Sequence, residues 1–152
     1  MKPTSVARVE ELAPNLKTIV YQMAQMLSLK GIEMEVAQGL RTWAVQDLLY
    51  AQGRTAPGPI VTAAQGGYSW HCFSLAFDID IVTANGLDWT GDDAAWQACI
   101  ATGESLGLVS GKSWNDKPHF QLTGRFPVTP DDEVRYIFKE SGLAGVWAEA
   151  FK

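Results

Sequence analysis

The chain has 152 residues, 47% of them apolar and 19% charged, with a formal net charge of -5 at pH 7. That is a globular composition, and the length suits one domain (1–152) with a sizeable core. There is no basic cluster, which argues against nucleic acid or an anionic membrane as partner. The opening MKPTSVARVEEL lacks the apolar stretch and small-residue cleavage site of a secretory signal. No apolar run approaches the roughly 18 residues needed to cross a bilayer. The expectation is a soluble chain made in the cytoplasm, with no membrane insertion.

Residues 14–30 carry Leu16, Ile19, Val20, Met23, Ala24 and Leu27 at helical spacing, and Gly31 is a natural stop. Residues 32–38 alternate as a half-buried strand does. The run 39–42 turns the chain, and Thr42 is placed to cap a helix from Trp43 to Gln52 that Gly53 ends. Residues 54–68, rich in Gly, Pro, Ala and Thr, form a long loop. Loops of that length in compact domains are usually functional or mobile.

A strand is predicted over 75–82. Leu75, Phe77, Ile79 and Ile81 share one face, and Ala76, Asp78, Asp80 and Val82 the other. Thr90 with Asp93 resembles a capping box for the next helix. That helix buries Trp96, Cys99, Ile100, Gly103 and Leu106. Residues 108–110 and 118–122 read as two short strands around a turn. Thr129-Pro130 starts a further helix, with Val134, Ile137 and Phe138 inward and Gly142 at its end. A last turn or two packs Val146, Trp147 and Phe151. The sum is an α+β domain with a small, mainly antiparallel sheet.

The chemistry concentrates in two stretches, SWHCFSLAFDID (69–80) and SWNDKPHFQL (113–122), which hold both histidines of the chain, His71 and His119. His71, Asp78 and His119 are plausible ligands for a catalytic zinc ion, which takes three protein donors and leaves one position for water. Asp116 lies three residues before His119, close enough to serve as a base. His71 and Asp78 are seven apart, an odd spacing that puts them on opposite faces of a flat strand. His71 therefore belongs in the loop or on a bend before the strand. Cys72 and Cys99 read as buried reduced thiols. Spacing alone leaves a metal site and hydrogen-bonded structural side chains both open.

Ser69-x-His71-x6-Asp78, with Ala76 two before the Asp, resembles the SxHxxGxAxD signature of zinc peptidases acting on D-amino-acid-containing wall peptides. These are the VanY/VanX-like D-Ala-D-Ala peptidases of hedgehog-related fold, together with the L-alanyl-D-glutamate endopeptidases of endolysins. Asp116-x-x-His119, preceded by Trp114 and followed by Phe120-Gln121, is similar to the second motif of the endolysin-type branch. Gly39-Leu40-Arg41-Thr42, Gln46, Leu49-Tyr50 and Gly53-Arg54-Thr55 are similar to its N-terminal pattern.

The resemblance implies His71, Asp78 and His119 as ligands of one Zn2+ and Asp116 as catalytic base. It implies Arg41 as a substrate-holding, oxyanion-stabilising group and Ser69 as a substrate contact or local support. The implied partner is bacterial peptidoglycan and the implied protein a monomer. Its place would be that of a phage or prophage endolysin, released to the cell wall and cleaving the L-Ala–D-Glu bond. A D,D- or L,D-carboxypeptidase and a non-catalytic zinc-stabilised binding domain are the alternatives. Ser74 stands where the family usually has Gly, which points to a strained turn. Asp80 is read as structural rather than as a fourth ligand. Gln121 is left open between orienting a ligand and facing solvent. Most of the tryptophans read as core or rim, and Trp70 and Trp114, adjacent to site residues, are the two to test for substrate contact.

Overall fold

The computed structural model describes residues 1–89 and 93–152. Its helices are α1 (Pro3–Glu10), α2 (Pro14–Ser28), α3 (Trp43–Ala51), α4 (Ala94–Ser105) and α5 (Asp132–Ala150). The strands are β1 (Glu33–Gln38), β2 (Ala76–Thr83), β3 (Gly86–Asp88), β4 (Val109–Ser110) and β5 (His119–Gln121). These strands pair antiparallel, in the order β1-β2-β5-β4 with β3 also on β2. The expected α+β class with a small antiparallel sheet is what the chain adopts. The chain divides into two compact units, residues 1–39 with 76–122, and residues 40–75 with 123–152.

The first unit holds the whole sheet. Leu16, Val20, Met23 and Leu27 of α2 are fully buried, at the three- and four-residue spacing that makes one helix face. On β2, Phe77, Ile79 and Ile81 point into the core, and Phe77 stacks on Phe120 of β5 at 5.6 Å between centroids. Trp96 and Cys99 bury the inner face of α4.

Two features of this unit escaped the sequence pattern. Helix α1 places only Ser5 and Val9 in the interior, so its apolar signal is a single residue. Its hold on β1 is polar. The Ser5 hydroxyl accepts from the Val36 N–H at 3.0 Å and donates to the Glu35 carboxylate. Arg8 donates to the Val36 carbonyl at 2.8 Å. An outer strand edge is thereby closed by side chains. Strand β3 follows a two-residue turn after Thr83, where the sequence pattern predicts no strand. The cap of α4 is Asp93, whose carboxylate accepts from the Trp96 N–H at 3.0 Å. Thr90, expected to share that task, lies outside the described residues.

The second unit is built on aromatic packing. Trp43 stacks on Phe138 at 5.1 Å, and Phe73 meets both rings edge-on at 6.0 and 5.6 Å. Thr42 caps α3 by accepting from the Val45 N–H at 3.2 Å. The loop over 54–68 has no helix or strand of its own and is pinned to α3. The Gly66 N–H donates to Asp47 at 2.7 Å, and Gln46 donates to Thr62 and Ala64. Helix α5 starts from an Asp131 cap, not from Thr129-Pro130 as the pattern predicts. Gly142 (φ 64, ψ -164) breaks it into two pieces where the sequence puts the helix end. The second piece sends the Trp147 indole N–H to the Phe73 carbonyl at 2.8 Å.

Candidate metal centre

His71 sits in a 3₁₀ turn, Trp70–Phe73, directly before β2. Of the loop or bend that the seven-residue spacing calls for, the chain forms a bend, and it is this turn. Ser69 is extended, and its carbonyl accepts from the Cys72 N–H at 3.0 Å. The turn closes where the Leu75 N–H donates to Trp70 O at 3.2 Å, and it ends on Ser74 in the left-handed region (φ 57). The expected strained turn at Ser74 is therefore present. The His71 carbonyl accepts from the Arg41 N–H at 3.0 Å, which ties Arg41 to the turn. His71 is buried.

Asp78 lies within β2 and is paired directly with His119, the first residue of β5. A second 3₁₀ turn, Gly111–Trp114, leads into β5 through Asn115, also left-handed (φ 60). The Asp116 N–H donates to Gly111 O at 2.9 Å, and the His119 N–H to Asp116 O at 3.1 Å. Asp116 is thus held on the short arc before His119, with its residue exposed to solvent.

His71, Asp78 and His119 each offer one ligand atom, and those atoms all lie within 4.8 Å of one another. His119 Nδ1 is 3.2 Å from Asp78 Oδ1. Two donors each about 2.1 Å from a tetrahedral ion stand roughly 3.4 Å apart, so this pair already has the separation a shared zinc ion imposes. Two imidazoles and one carboxylate are also a donor set that zinc accepts. The residues fit the ion.

Burial pulls the His119 imidazole toward the neutral form. The hydrogen bond and charge of Asp78, the bond to Gln121 and the charge of Asp116 act the other way and leave its pKa above the ordinary value. A cation is favoured where these groups meet, and a metal ion can take the place of that proton.

The Arg41 guanidinium donates to Gln46 Oε1 at 2.9 Å. Ser69 starts the first turn without a side-chain cap bond. Asp80 is not a member of the three-residue group. Burial raises its carboxyl pKa, Arg8 opposes that, and Asp78, Asp88 and Glu35 add to it. Trp70 is only 2% exposed and donates to the Val128 carbonyl at 2.9 Å, so it is a core residue rather than a substrate contact. Trp114 is 44% exposed and stands edge-on to the His119 ring at 5.9 Å.

Sequence reasoning missed what Gln46 does. It is fully buried, accepts from Arg41, and donates to Thr62 Oγ1 at 3.2 Å and Ala64 O at 2.7 Å. The available signal was an amide on the inward face of a short apolar helix. Cys72 and Cys99 are free and buried, as read, and burial pushes the Cys99 thiol up to about 11.

A family model described as D-alanyl-D-alanine carboxypeptidase matches residues 62–122, a span that includes both turns and all three candidate ligands. The chain is 33% identical over 123 residues to the peptidoglycan L-alanyl-D-glutamate endopeptidase CwlK of Bacillus subtilis (strain 168), covering 71% of this chain and 74% of that protein. The crystal structure of the Serratia marcescens L-Ala D-Glu endopeptidase ChiX superposes with a TM-score of 0.54 at 22% identity, over 81% of this chain and 89% of that one. At that identity the match speaks to the fold. With the CwlK likeness extending over most of both sequences and the matched span holding both motifs, the chain belongs to the peptidase M15 family.

Proposed function

We propose that this protein is a zinc-dependent endopeptidase of bacterial peptidoglycan that hydrolyses the L-Ala–D-Glu bond of the stem peptide. The observation that carries the reading is the approach of His71, Asp78 and His119 to within 4.8 Å, in a chain 33% identical to a peptidase of that specificity. A zinc ion held by these three residues would polarise the scissile carbonyl and bring the pKa of a bound water to about 7. The Asp116 carboxylate accepts a proton from the attacking water and hands it to the leaving amine. The Arg41 guanidinium, steadied by Gln46, holds the substrate and balances the negative charge growing on the carbonyl oxygen. Ser69 supports the turn or contacts the stem peptide.

Residues 1–152 act in this reading as one catalytic domain that works on the cell wall. The setting is the lysis step of a phage or prophage, which the endolysin-type form of the second motif supports. A second reading is a D,D- or L,D-carboxypeptidase, favoured by the description of the matching family model.

Digestion of purified peptidoglycan, read by fragment mass, tests the proposal. The expected products are glycan that keeps L-Ala and a released peptide beginning at D-Glu, with turnover abolished by a chelator and restored by zinc. Release of single terminal D-Ala residues would move the assignment to the carboxypeptidase. Asp116→Ala should lower turnover by roughly 10²–10⁴-fold with zinc still bound. Unchanged turnover in that variant would remove Asp116 from the mechanism. A wild-type protein that holds zinc yet cleaves nothing would leave the non-catalytic binding domain.

A further inference from the structure

We propose that Gln121 is a positioning residue that fixes His119 as its Nε2–H tautomer and thereby makes Nδ1 the metal-donor atom. The proposal rests on the reading of His71, Asp78 and His119 as a zinc site.

Gln121 is two residues beyond His119, so both side chains leave β5 on the same face. It is 3% exposed, and its Oε1 lies 2.9 Å from His119 Nε2. Across the ring, Nδ1 lies 3.2 Å from Asp78 Oδ1. An amide oxygen can only accept a hydrogen bond, so the shared proton sits on Nε2. A neutral imidazole has one N–H, and a ring protonated at Nε2 presents its lone pair at Nδ1. That is the nitrogen beside the Asp78 carboxylate. The amide thus selects which end of the ring faces the other two donors.

The backbone keeps Gln121 in place. Its register partners are Ala76 on β2 and Val109 on β4, so the strand is held on both edges at this residue. An exposed glutamine would spend its time with water and fix nothing. This one is buried, and losing its oxygen would leave the buried His119 N–H without that acceptor. Partners of this kind typically change metal affinity by 10–100-fold when removed.

The test compares wild type, Gln121→Leu and Gln121→Glu by zinc competition against a chromophoric chelator. The same zinc-loaded proteins are examined by long-range ¹H–¹⁵N NMR of the histidine rings. Wild type should bind one zinc ion and show a His119 Nε2 proton protected from solvent exchange. Gln121→Leu should bind zinc roughly 10–100-fold more weakly and lose that protection. Gln121→Glu keeps an acceptor oxygen and should hold zinc at least as well as wild type, with the protected proton present. Circular dichroism confirms folding, and Gln121→Met, flexible and of similar length, replaces the Leu variant if that one does not fold. A Gln121→Leu protein with wild-type affinity and an unchanged ring signal would overturn this proposal alone. A wild-type protein that takes up no zinc would overturn the metal reading and this proposal with it.

Discussion

The two turns that lead into the site strands are built alike and stabilised differently. Each is a four-residue 3₁₀ segment, Trp70–Phe73 and Gly111–Trp114. Each ends on a left-handed residue, Ser74 or Asn115, the two non-glycine positions with positive φ among the described residues. Four residues after each lies one member of the cross-strand pair, Asp78 or His119. The first turn is buried throughout and anchored by its tryptophan; the second is largely exposed, and its tryptophan is the exposed end. A buried turn can be held by packing on every side. An exposed one has to be held by its own backbone, and the second turn shows how.

That difference is sharpest at the first position. The first turn begins on Trp70, which fills a core site. The second begins on Gly111, where an added Cβ would stand 2.0 Å from Asp116 O and 3.0 Å from the His119 Cβ. The obstructing atom is backbone, and it accepts the His119 N–H, so it cannot yield without moving both residues. Gly111→Ala should cost about 3 kcal/mol, the upper end for overpacking. That corresponds to a fall in melting temperature of about 6–12 °C for a chain of this size. Zinc affinity should fall with it, because His119 is displaced. A variant as stable as wild type that binds zinc normally would show that the arc before His119 is softer than its contacts require.

Much of this was legible in the sequence, and the exceptions have physical causes. The odd spacing of His71 and Asp78 required a loop or a bend between them, and the first turn supplies it. The apolar periods of α2 and β2 located those elements because each buries one face, and α3 was located by its Thr42 cap. Helix α1 was invisible because Ser5 and Arg8 hold it to β1 by hydrogen bonds, which leave no apolar period. Gln46 and Gln121 look like ordinary polar residues in sequence. Only burial reveals that each amide has been committed to one orientation by its partners. Trp70 and Trp114 are alike as letters, yet one donates to Val128 from the core and the other stands open beside His119. No local pattern separates them.

The closing residues of the turns differ in a way that predicts a gain rather than a loss. Ser74 is fully buried, and its hydroxyl has no hydrogen-bond partner among the described residues. It carries both the left-handed penalty of a residue with a Cβ, about 1 kcal/mol, and the cost of a buried orphaned hydroxyl, about 1–3 kcal/mol. Glycine removes both and returns about 0.5–1 kcal/mol of chain entropy to the unfolded state. Ser74→Gly should therefore stabilise the fold by about 1 kcal/mol, read as a higher denaturation midpoint at unchanged slope. A destabilised variant would mean that the serine fills space worth more than the strain it carries.

Asn115→Gly should do almost nothing, and that is the useful contrast. Asparagine enters the left-handed region more readily than other residues with a Cβ, so relief of φ returns only a few tenths of a kcal/mol. Asn115 is exposed, so water can serve its amide and no desolvation penalty is lifted. The added freedom of a glycine in the unfolded chain works in the opposite direction. The sum should stay within about 0.5 kcal/mol of zero, measured in the same denaturation series as Ser74→Gly. The two substitutions change the same backbone conformation, so the difference between them, less the part by which asparagine tolerates that conformation better than serine, reports what burial of an unpaired hydroxyl costs. Equal shifts at both positions would assign the strain to φ alone and remove the orphaned hydroxyl from the account of the first turn.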